Sequence, residues 1–200
     1  MDRDYVGLVR PVVHGRPRVT QTAPITVGTF DGFTWIRCEG KGSFLNSPAL
    51  KSIGEQRIAA GERRIVVDLG SCSGMDSTFM GTLAGIASKL PTSDQGMALQ
   101  IAGADERNRR SLEDLGLDFL MEIDPPAAEW QGRLDAIRAE LKAPPQAGLP
   151  DKTERAKHML DAHQQLGQVN DGNARRFEEV TQVLEHQLSR LPADPPQDPG

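Results

Sequence analysis

The sequence predicts an α/β domain over residues 25–142, followed by a C-terminal helical hairpin. Three observations lead to this fold class. First, an apolar, β-branched run at 64–69 comes directly before a helical repeat of apolar residues. Second, further strand and helix patterns alternate on both sides of this pair, as they do in α/β domains. Third, apolar residues recur at helical spacing beyond a proline-rich stretch.

Length and charge narrow the class of protein. The 200 residues, 38% of them hydrophobic, allow one ordinary domain plus an extension. A net charge of −5 and the lack of a Lys/Arg-rich face argue against nucleic acid or an anionic membrane as the partner. A protein or a small molecule is therefore the predicted partner. Without a signal-peptide core or a membrane-spanning apolar run, the sequence predicts a cytoplasmic protein whose two cysteines are buried or half-buried.

The first half of the domain begins after a proline-containing arm at residues 1–24. Asp31-Gly32 predicts a tight hairpin turn between strands at 25–30 and 33–38, because both residues tolerate positive φ. Asn46-Ser47-Pro48 predicts the capped start of a helix, which Gly61 would end.

The centre of the domain is the stretch 64–90. A buried strand at 64–69 is followed by a short glycine- and serine-rich turn and then by a helix from about residue 77 to 90. Asp76, Ser77 and Thr78 are suited to cap the first turn of this helix, and Pro91 ends it.

The second half of the domain continues the alternation. A fourth strand is predicted at 97–102, and Asp105 would cap a charged helix that Gly116 ends. A last strand is predicted at 119–123. Asp124-Pro125 would start one more helix, whose apolar stripe lies on the sheet or on an adjacent helix and consists of Trp130, Leu134, Ile137 and Leu141.

The C-terminal part divides by composition into a linker at 143–150, a helical hairpin at 151–191 and a disordered tail at 192–200. The apolar stripes of the hairpin serve one of two purposes. They pack against each other or against the α/β unit, or they form a dimerisation or partner surface.

Few chemical motifs are present. The sequence has no phosphate-binding loop, no HExxH and no CxxC, and its four histidines do not have the spacing of a ligand cluster. We therefore predict neither a metal nor a cofactor. Gly70-Ser71-Cys72-Ser73-Gly74 has the form of a nucleophile elbow, but a Cys72 thiol would need a histidine base from the C-terminal helices. A glycine- and serine-rich turn is the favoured interpretation.

A family resemblance rests on two segments. Val66 to Leu69, followed after a short turn by Met75 to Leu83, resembles the signature of STAS domains, the family of bacterial anti-sigma factor antagonists. Residues 109–123 are similar to that family's third helix, glycine and last strand. The resemblance covers residues 25–142 and implies a mixed four- to five-stranded sheet with helices packed along one face. The C-terminal 50 residues lie outside it.

The resemblance also implies a function. In antagonists of this family, an anti-sigma factor that is an ATP-dependent serine kinase phosphorylates the serine after the motif aspartate, which is Ser77 here. It implies a non-enzymatic module of transcription regulation that binds this kinase when unmodified and is switched off by phosphorylation. The partner contacts expected at or near this turn and helix are Met75, Asp76, Thr78, Phe79, Met80 and, less strongly, Ser47. Phe79 stands where the family often has glycine, which implies a different partner or a hydrophobic interface contact.

Two alternatives stay open. Ser77 can be a helix cap and nothing more, which stabilises a fold by roughly 1 kcal/mol. The protein can also be a STAS scaffold without a phosphoswitch, assembling through its C-terminal helices, with a homodimer as one possibility.

Overall fold

The computed structural model describes residues 25–91, 97–144 and 150–190. Within them the strands are β1 (Ile25–Phe30), β2 (Phe33–Gly42), β3 (Ile65–Met75), β4 (Leu99–Ala102) and β5 (Glu122–Ile123). The α-helices are α1 (Ser47–Ala59), α2 (Ser77–Lys89), α3 (Glu106–Glu113), α4 (Leu134–Glu140), α5 (Lys152–Gly167) and α6 (Asp171–Ser189). The predicted arm and tail, and most of the predicted linker, lie outside the described residues.

The strands form one mixed sheet in the order β1-β2-β3-β4-β5. β1 and β2 are antiparallel across the Asp31-Gly32 turn, where Gly32 has a φ of 88°. The other three pairings are parallel. The predicted fold class is confirmed: a mixed five-stranded sheet with helices packed on it and a C-terminal helical pair. No helix in the described ranges is both long and apolar enough to cross a bilayer.

The central strand is longer than predicted. We expected the strand to end at Gly70 and a turn to follow, but β3 continues to Met75. Its second half pairs with Glu39 to Gly42 of β2 through two register shifts. An irregular pairing of this kind tolerates glycine, whereas a regular central strand does not. The glycines of 70–74 therefore mark an irregular stretch of strand rather than a turn.

The sheet has a core on each face. On one face, α1, α2 and α3 cover a large cluster that includes Leu50, Leu83 and Leu112. On the other face, Trp35 packs edge-on against Trp130 at 5.4 Å between ring centroids. The helices α1, α2 and α3 thus share one face, and the segment that follows β5 covers the other.

That segment corrects one prediction. A helix was expected to start at Asp124-Pro125, but residues 125–133 form turns and the helix, α4, begins only at Leu134. Asp124 adopts a φ of 50°, and Trp130 donates a hydrogen bond from Nε1 to Gln100 Oε1 at 2.8 Å. The indole is therefore held against β4 by its own polar contact, and Trp130 and Ile137 of the apolar stripe are buried without a continuous helix.

Two smaller predictions were also wrong. Phe119 was predicted to begin the last strand, but it lies in a short 3-10 turn and is 78% exposed, because the inward position is filled by Leu117.

Asn46 was predicted to cap α1, but its side chain does not do so. Its Oδ1 instead accepts a hydrogen bond from the Ser43 backbone N–H at 2.7 Å, which closes the loop after β2.

The C-terminal helices form a hairpin whose first helix lies on α2. α5 begins with a capping box between Asp151 and Glu154, and Asn170 caps α6. The buried residues of α5 are His158, Ala162, His163 and Leu166. In this structure the hairpin is thus packed on its own α/β unit, the first of the two alternatives above.

Candidate functional site

The candidate site lies where β3 ends and α2 begins. Asp76 is the N-cap of α2, and its Oδ1 accepts a hydrogen bond from the Phe79 backbone N–H at 2.9 Å. Its Oδ2 accepts a second one from the Phe44 backbone N–H, also at 2.9 Å. A single carboxylate therefore fixes the helix start and joins it to the loop that follows β2.

Ser77 is the first residue of α2 and is half-buried. Its Oγ lies 2.9 Å from Nε2 of His163 on α5. The other ring nitrogen of His163, Nδ1, lies 2.7 Å from the Met159 carbonyl oxygen. Because a carbonyl only accepts, Nδ1 carries the proton in the neutral ring, and Nε2 accepts the hydrogen bond from the Ser77 hydroxyl.

A second serine and histidine pair repeats this arrangement one helix away. Ser47 is the first residue of α1, and its Oγ lies 2.8 Å from Nε2 of His158. Thr82 Oγ1 of α2 lies 3.5 Å from the same nitrogen. Burial, and next the charge of Lys51, hold the pKa of His158 below its ordinary value, so the ring is neutral near pH 7. α5 is thus hydrogen-bonded to the starts of both α1 and α2.

The backbones of α2 and α5 approach each other closely at Gly81. A Cβ atom at this position would collide with the main-chain carbonyl of Ala162. Gly81 therefore lets the α5 backbone approach α2 directly, one turn along from Ser77. Glycine inside a helix is otherwise destabilising, so this close approach gives the residue a structural reason.

The structure places the residues of the predicted site at different depths. Asp76, Ser77, Met75 and Met80 are half-buried, whereas Ser47 and Thr78 are buried. Phe79 is fully buried, and its ring packs directly on Gly42, where an added Cβ would lie 2.9 Å from Cγ. Phe79 is a core residue here and not an exposed interface contact. The role of the other residues in partner binding stays a prediction.

Sequence reasoning missed the two histidines. The spacing of the four histidines was used only to argue against a ligand cluster. Five positions along an α-helix correspond to a rotation of about 140°, which directs His158 toward α1 and His163 toward α2. The available signal was His163 itself, a polar residue within the apolar stripe of the hairpin.

The remaining candidates do not form a second site. In the described residues no group of three or more His, Cys, Asp or Glu side chains could hold a metal. Cys72 is buried, and its Sγ contacts the Gly74 carbonyl oxygen at 3.4 Å. A hydrogen bond with Cys72, together with burial, raises the pKa of the Cys38 thiol. The cysteines are buried as predicted, and both α5 histidines bond hydroxyl groups rather than the Cys72 thiol.

Asp68 is also separate from the start of α2. Its carboxylate is fully buried on the tryptophan-containing face and accepts two hydrogen bonds from Arg138, at 2.8 and 2.9 Å. Arg138 therefore neutralises Asp68, which does not add to the negative charge near Ser77.

Fold and site together define a small α/β domain of the STAS type with a helical extension. The family model described as "STAS domain" matches residues 24–129. The chain therefore belongs to the STAS domain family. The hairpin lies outside the matched residues.

Two solved structures are similar to this chain. The chain is similar to an anti-sigma factor antagonist from Mycobacterium paratuberculosis, with 21% identity, a TM-score of 0.48 and coverage of 60% of this chain and 97% of that one. It is also similar to the Bacillus cell fate determinant SpoIIAA in its phosphorylated form, with 18% identity, a TM-score of 0.43 and coverage of 57% and 99%. Comparison with curated proteins gives no match.

Proposed function

We propose that this protein is a signalling module of the anti-sigma factor antagonist type. In this proposal it binds an anti-sigma factor of the serine-kinase class through the start of α2, and phosphorylation of Ser77 ends that binding. The single observation that carries the proposal is the place of Ser77, the first residue of α2, directly after the capping Asp76 in a STAS domain. STAS anti-sigma antagonists are generally non-enzymatic, and no catalytic residue or cofactor is part of the proposal.

The electrostatics of the helix start support a switch. The N-terminus of a helix carries unpaired N–H groups and a positive dipole end, which accommodate a phosphate. Phosphorylation adds about −1.5 to −2 charge. Next to Asp76, this charge would repel an acidic partner surface and would be poorly solvated in a packed interface. Modification of Ser77 would therefore release a partner rather than recruit one.

The test is a pull-down of a candidate serine-kinase anti-sigma factor from the same organism with wild type, Ser77→Ala and Ser77→Asp. We expect wild type and Ser77→Ala to bind and Ser77→Asp to fail. Incubation with the kinase and ATP should place phosphate on Ser77, as mapped by mass spectrometry. Ser88→Ala, an exposed serine near the other end of α2, is the matched control and should still be phosphorylated at Ser77. Phosphate at another serine, or tight binding by Ser77→Asp, would reject the switch.

A second candidate function is favoured by one observation, the bond between Ser77 and His163. If that bond is the only role of Ser77, the protein is a STAS scaffold without a phosphoswitch. A scaffold that assembles through its C-terminal helices should form oligomers in a concentration-dependent way. Analytical ultracentrifugation of the full chain separates the two functions, because a monomer at all concentrations favours the signalling module.

A further inference from the structure

We propose that the C-terminal hairpin is an intramolecular competitor for the partner-binding face. In the closed chain α5 occupies the start of α2, and it must leave before a protein partner can reach Ser77. This inference rests on the proposed function for the identity of the face. It adds a regulatory step that the STAS-matched residues 24–129 do not contain, since α5 and α6 lie beyond them.

Occlusion is the first argument. His163 lies 2.9 Å from the Ser77 Oγ, which is hydrogen-bond distance, so neither a kinase active site nor a phosphate group fits between the two atoms. One turn along α2, the Ala162 main chain lies directly on Gly81. At the other side, His158 bonds Ser47, a further residue of the predicted partner surface. A partner and α5 therefore cannot occupy this face together.

The chemistry of the contact indicates that it can open. The buried residues of α5 include only one large aliphatic side chain, Leu166, beside an alanine and two histidines. Lys51 and Asp161 add a half-exposed ion pair at 2.6 Å. Leu166 belongs to the main core cluster, but the two histidines and the ion pair make the rest of this contact more polar than a domain core, as in interfaces between mobile domains. The hydrogen bonds to Ser47 and Ser77 can be exchanged for hydrogen bonds to water at a small net free-energy change.

The hairpin has a second anchor away from α2. Asn173 of α6 is buried and donates a hydrogen bond from Nδ2 to the Leu115 carbonyl oxygen at 2.8 Å. Asn170 donates to the same oxygen at 3.4 Å. The face around Ser77 and the Leu115 carbonyl thus hold one rigid hairpin at two points, so loss of either contact shifts the equilibrium of the whole hairpin toward the open state. The apparent affinity for a partner is proportional to the open fraction, so it rises when either contact is lost.

The chain offers a matched pair of variants. Gly81→Ala places a methyl group against the main chain of Ala162. Because a main chain cannot rotate away as a side chain can, the clash is relieved only if α5 moves. Gly85→Ala, one turn further along α2, meets only the Gln165 side chain, whose Cγ would lie 3.3 Å away and can rotate. Both changes raise the helix propensity of α2 equally. Only Gly81→Ala should therefore open the hairpin.

The first measurement needs no partner. In the full-length chain carrying Ser77→Cys, the alkylation rate of the introduced thiol by iodoacetamide reports its exposure, and peptide mapping separates it from the buried Cys38 and Cys72. We expect Gly81→Ala to raise this rate about tenfold over Gly85→Ala. His163→Ala acts from the α5 side and leaves α2 unchanged. Introduced on its own into the Ser77→Cys chain, it should also raise the alkylation rate. Equal rates in folded Gly81→Ala and Gly85→Ala chains would overturn the inference.

The second measurement adds the candidate kinase to the same two glycine variants with Ser77 intact. Tighter binding by Gly81→Ala than by Gly85→Ala supports the competition. Equal binding by both variants overturns the competition and leaves the proposed function standing. An increase in alkylation with no kinase binding by either variant supports the opening of the hairpin and overturns the proposed function instead.

Discussion

Ser77 and His163 lie 86 positions apart in the chain, yet Ser77 Oγ and His163 Nε2 are 2.9 Å apart. This contact connects the first residue of α2, inside the STAS-matched region, to a helix outside it. The serine that family resemblance singles out is therefore not a free surface hydroxyl. Any account of its function has to include α5.

We expect His163→Ala to loosen α5 more than the sheet. The variant removes the hydrogen bond to Ser77 and the packing of the imidazole against Phe177, whose ring centroid is 5.5 Å away. Loss of about 1 kcal/mol corresponds to about fivefold faster amide exchange in α5, measured by hydrogen exchange with mass spectrometry. His186→Ala, on the exposed side of α6, is the control and should leave the exchange unchanged. Unaltered exchange in His163→Ala would show that the bond contributes nothing to docking.

We expect Asp76→Ala to destabilise the domain by about 1–2 kcal/mol, the usual effect of deleting an N-cap. The variant loses the bond to the Phe79 N–H and also the bond to the Phe44 N–H that holds the preceding loop. Urea denaturation followed by circular dichroism measures the change. Asp76→Asn retains an acceptor oxygen and should recover most of the stability; an equal loss in both variants would assign the effect to charge rather than to capping.

Stability should fall as the pH is lowered, because of His158. Burial, and next the charge of Lys51, lower its pKa in the folded chain from the ordinary value of 6.5. As the pH falls through 6.5, the unfolded chain therefore binds more protons at His158 than the folded chain does. The free energy of unfolding decreases over this range, and it stops decreasing once the pH lies below the pKa of His158 in the folded chain. His158→Gln keeps an amide near Ser47 without titrating. Urea unfolding at about pH 7.5 and about pH 5.5 should show a smaller pH dependence for this variant than for wild type. Parallel pH profiles would exclude His158 as the source.

Gly42→Ala should destabilise the domain through Phe79. The added Cβ would lie 2.9 Å from Cγ of the buried ring, and overpacking of this kind costs about 1–3 kcal/mol. Phe79→Ala removes the ring atoms that the added Cβ would meet and should make Gly42→Ala nearly neutral in the same background. A double-mutant cycle of unfolding free energies measures this coupling. Additive effects of the two substitutions would mean that the ring and the glycine are independent.

Local sequence determined a large part of this protein. The Asp31-Gly32 turn and the cap at Asp105 were predicted correctly, and Gly116 adopts a left-handed conformation shortly after α3 ends at Glu113, because turns and helix ends depend on a few neighbouring residues. The spacing of apolar residues in 64–90 and in the C-terminal stretch correctly predicted the central strand, the helix after it and the hairpin. Asp76 and Ser77 were located at the start of α2 for the same reason.

Tertiary structure decided the rest. β3 continues past Gly70 because β2 supplies a pairing partner for its second half, and Trp130 is buried without a helix because Gln100 accepts its indole N–H. The docking of α5 depends on Gly81, whose missing side chain has meaning only when the opposite backbone is known. Periodicity identifies which face of a helix is buried but not what covers it. The environment of Ser77 is set by residues far away in sequence, and only the folded chain brings them together.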